Sequence, residues 1–341
     1  MTPLLVALLA GCGGGKAAHS RSPASKTDLN RVPPGRYLYL ARALVPYRLT
    51  IVDVDAGVSW VTRRPQLLPG DPPFALIRRG DRLVYYGPGG AMSIDLNLLQ
   101  RPKTLGGFYF IPSARPNRVW LAIPDRSGPY ANNGLAAVRE VTAGGAVTQP
   151  DVRPPHGADP MVAFRAGLGI GSLRGFGIDV WSPRSGLTST NLRTAIAGPA
   201  HGNLLVRGSY VGHHVHLTDV VSGKDRTVSA PRAYPSFDSH SAQFSPDGRL
   251  LAVPVARQPA IYAGRELALI DVATGRLRVV PGSRVSAGDG YVTWSSDGRS
   301  VFMSRGGSRG FVRQIVVYRL GDRVARRIPV KVGTFTGMAA S

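Results

Sequence analysis

Phe244-Ser245-Pro246-Asp247-Gly248-Arg249 and Trp294-Ser295-Ser296-Asp297-Gly298-Arg299 are two copies of one pattern, fifty residues apart. In each, an aromatic residue ends one apolar run and a turn carrying Asp-Gly feeds the next, Leu250-Leu251-Ala252-Val253 or Val301-Phe302-Met303. The turn residues have a mechanical reason: Asp accepts hydrogen bonds from the backbone just ahead, and glycine takes a positive φ without steric cost. Weaker copies stand at Gly35-Arg36-Tyr37, Gly80-Asp81-Arg82, Pro116-Asn117-Arg118 and Gly202-Asn203-Leu204, with a seventh near Gly167. The mean spacing is about 44 residues, the length of a repeat and not of a single hairpin.

A second register repeats with the same period. Apolar strands ending in a small or acidic turn with glycine occur at Thr50 to Gly57, Asp179 to Gly186, His216 to Gly223, Ala268 to Gly275 and Val316 to Gly321, and degenerate copies occur at Met92 to Asn97 and Val138 to Gly144. Two registers therefore agree on seven units. The sixth reads as four strands, His240 to Phe244, Leu250 to Val255, Leu267 to Asp271 and Leu277 to Val280. Four short antiparallel strands per period of about 40–45 residues describe a propeller blade. An all-β, seven-bladed β-propeller over residues 36–341 is the fold expected.

The composition fits. Glycine (42) and proline (28) are abundant and 43% of residues are apolar, while Glu140 and Glu266 are the only glutamates. A helical protein would carry more Glu, Lys and Ala and fewer breakers. The first unit begins at its second strand, Tyr37 to Ala41, whereas the chain runs on past Pro329 through Val332 to Met338 with the apolar character of a first strand. Raw sheet edges aggregate, so this C-terminal strand is expected to complete blade one and close the ring.

Around Phe244 to Arg249 and Trp294 to Arg299 the sequence resembles the TolB-type and WD-like propeller repeats of bacterial secreted proteins. The resemblance implies the architecture and says little of activity, because such repeats serve unrelated functions. At the other end, Leu9-Ala10-Gly11-Cys12 follows a short apolar stretch, Leu4 to Ala10, and resembles the lipobox of bacterial lipoprotein signal peptides. That resemblance implies removal of residues 1–11, a lipid on Cys12, and an extracytoplasmic protein anchored to the cell membrane. The apolar run is too short to span a bilayer as a helix. Residues 12–35, with a glycine triplet and Pro33-Pro34, read as a flexible tether. Cys12 is the only cysteine, so no internal disulfide is available.

The net charge is +22, and only five of the 42 basic residues are lysines. Such a surface attracts polyanions, including anionic lipid and acidic wall polymers, although a GC-rich genome gives the same arginine bias. The arginines are scattered rather than clustered, which disfavours nucleic acid as a partner.

Against the repeat, most candidate site residues have structural readings. Asp247, Gly248, Asp297 and Gly298 recur at one turn position and are expected to be turn residues, as are Asp53, Asp219 and Asp271. Trp60, Trp120, Trp181 and Trp294 sit on strands in different units and are expected to pack between blades. Gly167-Leu168-Gly169-Ile170-Gly171 lacks the lysine and helix of a phosphate loop and reads as a strand in close backbone contact. The segment His213 to His216 is not explained by the repeat. On a strand His214 and His216 share a face while His213 points away, and His240 or Asp238 could add a third ligand for zinc or copper. No nucleophile elbow or distinct acid pair is visible, so no catalytic residue is assigned. The expectation is a non-catalytic scaffold for a protein, peptide or wall polymer, with no required cofactor. The alternative is a propeller hydrolase or lyase on sugars or lactones, with or without a metal.

Overall fold

A computed structural model describes residues 33–42, 48–66, 76–87, 90–96, 102–124, 135–155, 160–171, 177–192, 197–209, 211–259, 264–285, 290–305, 312–332 and 335–341. Cys12 and nearly all of the expected tether lie outside the described residues. The described chain is all β and forms seven antiparallel sheets, the blades of a propeller.

From the channel outward, blade one is β29 (Phe335–Ala340), β1 (Tyr37–Arg42), β2 (Arg48–Asp53) and β3 (Val58–Gln66). Blade two is β4 (Leu76–Arg79), β5 (Arg82–Gly87), β6 (Gly90–Asp95) and β7 (Lys103–Gly106). Blade three is β8 (Tyr109–Pro112), β9 (Arg118–Pro124), β10 (Leu135–Thr142) and β11 (Val147–Val152). Blade four is β12 (Pro160–Ala163), β13 (Leu168–Gly171), β14 (Ile178–Ser182) and β15 (Gly186–Leu192). Blade five is β16 (Ala197–His201), β17 (Leu204–Arg207), β18 (His214–Asp219) and β19 (Asp225–Ser229). In blade six two short inner strands, β20 (Ser236–Phe237) and β21 (Gln243–Phe244), both pair β22 (Leu250–Ala256), followed by β23 (Arg265–Asp271) and β24 (Leu277–Val279). Blade seven is β25 (Gly290–Trp294), β26 (Ser300–Arg305), β27 (Val312–Arg319) and β28 (Arg326–Val332).

Packing explains the strand composition. The second and third strands touch a neighbouring blade on each face, so β22 is buried at six of its seven positions and β23 likewise. Near-continuous apolar runs result, instead of the alternation of a half-exposed sheet. The outer strand β19 is exposed at four of five positions. Seven hydrophobic clusters form among the described residues, and each spans one pair of adjacent blades. The core is thus a ring of seven interfaces.

Six of the seven copies of the first register join an inner strand to a second strand, the Gly35 copy leading into the second strand of blade one without an inner strand before it, and all seven of the second register join a third strand to an outer one. The expected latch forms: β29 pairs β1 antiparallel from Leu38↔Ala340 to Ala41↔Gly337. Its side chains serve both flanking interfaces. Phe335, Met338 and Ala340 join the cluster shared with blade seven, and Ala339 joins the one shared with blade two.

Where the other blades have an inner turn, blade one has the two ends of the described chain. Gly35 N–H donates to the Ser341 carbonyl (2.8 Å), as Gly248 N–H does to Ser245 and Gly298 N–H to Ser295. The Ser341 hydroxyl accepts from Tyr37 N–H at 2.9 Å, just as Ser245 accepts from Leu250 and Ser295 from Ser300. Ser341 therefore completes, non-covalently, the turn that Ser245 and Ser295 complete along the chain.

One expected strand differs. The inner run His240 to Phe244 is instead β20 and β21, because the Asp238 carboxylate accepts from the Ser241 N–H (3.2 Å) and hydroxyl (3.0 Å) between them. Such a local side-chain bond competes with the sheet ladder. No helix among the described residues is long and apolar enough to cross a membrane.

Candidate binding site at the channel mouth

The inner strands of all seven blades enclose a cavity of about 740 Å³. Its lining includes inner-turn residues Gly80, Pro116, Pro246 and Ser296, and His201 at the end of β16, so it reaches the rim where inner strands turn into second strands. Apolar side chains from five blades, among them Leu76, Ile111, Val162, Val292 and Met338, form part of its wall. Three arginines (Arg78, Arg79, Arg115) and two histidines (His201, His240) supply its charge and polarity. Among the described lining residues there is no Asp or Glu.

The three arginines are held differently. Arg115 stands on the blade-three turn and its Nη1 lies 3.4 Å from Glu140 Oε2. That buried carboxylate also accepts from the Ser113 hydroxyl (2.6 Å), Arg118 (3.1 Å) and the Thr148 hydroxyl (2.9 Å). Arg115 shares that single carboxylate with Arg118. Arg78 and Arg79, at the end of β4, form no ion pair among the described residues, although the Asp81 carboxylate acts on Arg78 at longer range.

Strand alternation sends these two to opposite sides of blade two. Leu76 packs into the interface with blade one and Ile77 into that with blade three; Arg78 and Arg79 continue the alternation. Arg79 Nη2 accordingly donates to the Ser113 carbonyl of blade three (3.4 Å). Arg78 lies within electrostatic reach of Tyr39 in blade one and donates through Nε to the Gly80 carbonyl (2.8 Å). Gly80 takes φ +61°, and a Cβ there would stand 2.7 Å from Asn117 Oδ1, so glycine is what lets this turn sit against the next blade.

Arg78 Nη1 and Arg79 Nε are enclosed and meet no acceptor. Burial lowers the affinity of both guanidinium groups for their proton, that of Arg79 to a pKa of about 10. At neutral pH they remain charged. Burial likewise pushes the His201 imidazole below its ordinary value, and its ring stands 5.9 Å from that of Phe244.

The residues singled out in the sequence fall mostly into the frame. Asp247 accepts from the Ser245 hydroxyl (2.6 Å) and Arg249 N–H (3.1 Å), and Asp297 from Ser295 (2.6 Å) and Arg299 N–H (2.9 Å). Gly248 and Gly298 take φ +72° and +69°. Asp53, Asp219 and Asp271 accept from backbone N–H groups two or three residues ahead, at the outer turns. Trp60 packs between blades one and two, Trp120 and Trp181 between three and four, and Trp294 between six and seven, where its indole also lines the cavity. At Gly169 an added Cβ would lie 2.6 Å from Val162 Cγ1, the close contact expected of that strand.

His214 and His216 share one face of β18 and flank the buried Val215. Their ring nitrogens meet the Ser229 hydroxyl (3.3 Å) and Asp225 (3.1 Å) respectively. His240 instead lines the channel, and Asp238 is engaged by Ser241. Among the described residues no group of three His, Cys, Asp or Glu side chains is placed to hold a metal ion.

The sequence matches no protein-family model and no curated protein. Solved structures share its fold. AztD from Citrobacter koseri aligns over 91% of this chain and 98% of its own at 12% identity and a TM-score of 0.51. A candidate 6-phosphogluconolactonase from Bacteroides uniformis aligns over 89% and 99% at 12% identity and 0.54. TolB from Acinetobacter baumannii aligns over 90% and 66% at 14% identity and 0.49.

Proposed function

We propose that this chain is a non-catalytic binding propeller of the bacterial cell envelope, with its ligand held in the rim end of the central channel. The observation that supports it is the cavity itself, built by all seven blades from apolar wall, arginine and histidine. Concave, largely apolar sites with a few convergent polar groups are what ligands occupy. Extracytoplasmic location and a lipid on Cys12 are part of the reading. The described chain begins at Pro33 and meets the ring at Gly35 on the same rim as the channel mouth. Protein, peptide or wall-polymer ligands all fit such a module.

The test is capture from solubilised envelopes by the propeller lacking Cys12, compared with one whose mouth is plugged. Ala114 and Ser296 are exposed lining residues of blades three and seven, and Ala114→Trp with Ser296→Trp narrows the opening. The reading expects a component retained by the wild type and lost by the plugged form. Equal capture by both overturns it. A second reading, a hydrolase or lyase on sugars or lactones, draws on the fold likeness to a candidate lactonase and on His201 and His240 in the channel; turnover of a lactone panel, lost on His201→Ala, would favour it.

A further inference from the structure

Neither the repeat nor the channel accounts for His214 and His216. The third strands β2, β14 and β23 are buried almost throughout, whereas β18 exposes His214 and half-exposes His216 on one face. Val215 between them packs toward blade six, so the histidines face the blade-four side. Across the sheet they pair with Ser229 and Thr227 of β19, and Thr218 pairs with Asp225. Both rings turn Nδ1 toward that strand. His216 Nδ1 lies 3.1 Å from Asp225 Oδ2 and 3.1 Å from the Thr227 hydroxyl, and His214 Nδ1 lies 3.3 Å from the Ser229 hydroxyl. The Asp225 carboxylate, ion-paired with Arg207 at 3.0 Å, accepts only, so His216 Nδ1 carries the proton and Nε2 of the neutral ring keeps its lone pair. Among the described residues neither Nε2 meets a hydrogen-bond partner.

We propose that His214 and His216 form a two-histidine site for a divalent transition-metal ion, held most tightly as Cu2+, on the side of blade five. The site lies outside the channel and does not depend on the binding reading above. Three observations select the ligand class. Ligating histidines characteristically donate their second ring N–H to a carboxylate or another acceptor, which fixes the tautomer and aims the free nitrogen; Asp225 does this for His216. Residues two apart on a strand stand about 6.5 Å apart at Cα, within reach of the roughly 3 Å between nitrogens that two bonds of about 2.0–2.1 Å to one ion require. The donors are imidazole nitrogens, which suit Cu2+, Ni2+ and Zn2+, with Cu2+ first in affinity. The oxygens of Asp225 are taken by Arg207, Thr218 and His216, so it stands behind the site instead of ligating. Arg207, the cross-strand neighbour of His216 on β17, is neutralised by the same carboxylate. With two protein ligands the remaining positions go to water, and the ion is exchangeable, unlike the closed four-ligand sites that hold a fold together.

The experiment is titration of the propeller lacking Cys12, free of any histidine tag, with Cu2+ and with Zn2+ in a non-chelating buffer. Calorimetry reads both ions, and electron paramagnetic resonance counts the nitrogen donors on Cu2+. The expected result is one ion per chain, Cu2+ bound more tightly than Zn2+, and two imidazole nitrogens in the Cu2+ spectrum. Groups behind a ligand are alone worth about tenfold to hundredfold in metal affinity, so His214→Ala and His216→Ala should each weaken binding at least about tenfold and leave one nitrogen. His213→Ala, an exposed histidine just before β18, should change neither. Because the replaced rings are exposed or half-exposed, metal-free melting temperatures should match wild type, which separates lost binding from lost fold. Absence of stoichiometric binding, a spectrum with fewer than two imidazole nitrogens, or affinity unchanged by His214→Ala and His216→Ala overturns the inference. Equal weakening by His213→Ala does so too.

Discussion

Phe335→Ala puts the ring closure at risk through a single side chain. Phe335 is fully buried on β29, and its ring stands 5.4 Å from that of Tyr291 in blade seven. It belongs to the cluster that joins the last blade to the first, where truncation removes both transfer energy and packing. Large-to-small changes of this kind cost about 3–5 kcal/mol. In a protein larger than about 250 residues each kcal/mol moves the melting temperature by roughly 2 °C, so a fall of about 6–10 °C is expected. Differential scanning calorimetry reads this directly, with Val147→Ala on the exposed face of β11 as the control, expected within about 0.5 kcal/mol of wild type. Removing residues 335–341 goes further: it strips the inner strand of blade one, leaves the edge of β1 unpaired, and empties part of two interfaces. That form should lose the cooperative transition altogether. A Phe335→Ala protein melting within a degree or two of wild type would refute the reasoning, since the strand could not then be core to the interface between blades one and seven.

Three further outcomes follow from local geometry. Glu140→Ala leaves Arg115, Arg118, Ser113 and Thr148 without their shared buried acceptor, and chemical denaturation should show a loss of about 3–5 kcal/mol. Gly169→Ala pushes a methyl into Val162 and Phe164, an overpacking worth about 1–3 kcal/mol in the same assay. The pH dependence has a definite sign. The Ser245 hydroxyl holds the Asp247 carboxyl, and the Ser222 N–H that of Asp219, below the ordinary carboxylate range. Folded values below the unfolded value of about 3.9 stabilise the protein above that pH and lose this contribution as pH falls through the folded values. Melting temperature should therefore drop below about pH 4, and less steeply for Asp219→Asn with Asp247→Asn; an unchanged acid slope in that variant counts against the turn carboxylates as its source.

Much of the frame is legible in the sequence because it repeats. The turns at Asp247-Gly248 and Asp297-Gly298 recur for a geometric reason, and even Gly35-Arg36-Tyr37 reads as a turn although its inner half comes from Ser341. The broken inner strand of blade six was not legible, since nothing in His240 to Phe244 announces that Asp238 bonds Ser241. The channel site was less legible still. Each blade contributes only a few residues to it, from strands some 44 positions apart on average, so Arg78 and Arg79 look like two more arginines in an arginine-rich chain. The signal that could have marked them is positional: both end an inner strand immediately before the turn at Gly80, where blades six and seven carry Phe244-Ser245 and Trp294-Ser295. The histidines mislead in the opposite way. His214 and His216 share a face as their spacing predicts, but that face belongs to a third strand of blade five, away from the channel that His240 lines.

Site-specific photocrosslinking in living cells tests the central claim most directly. A photoreactive residue is placed in turn at Ala114 and Ser296, on the channel rim, and at Val147 and Thr188, on exposed outer-strand positions. A ligand seated in the channel mouth predicts adducts from Ala114 and Ser296 and no comparable adducts from Val147 or Thr188. Adducts confined to the outer strands, with the rim silent, would contradict it.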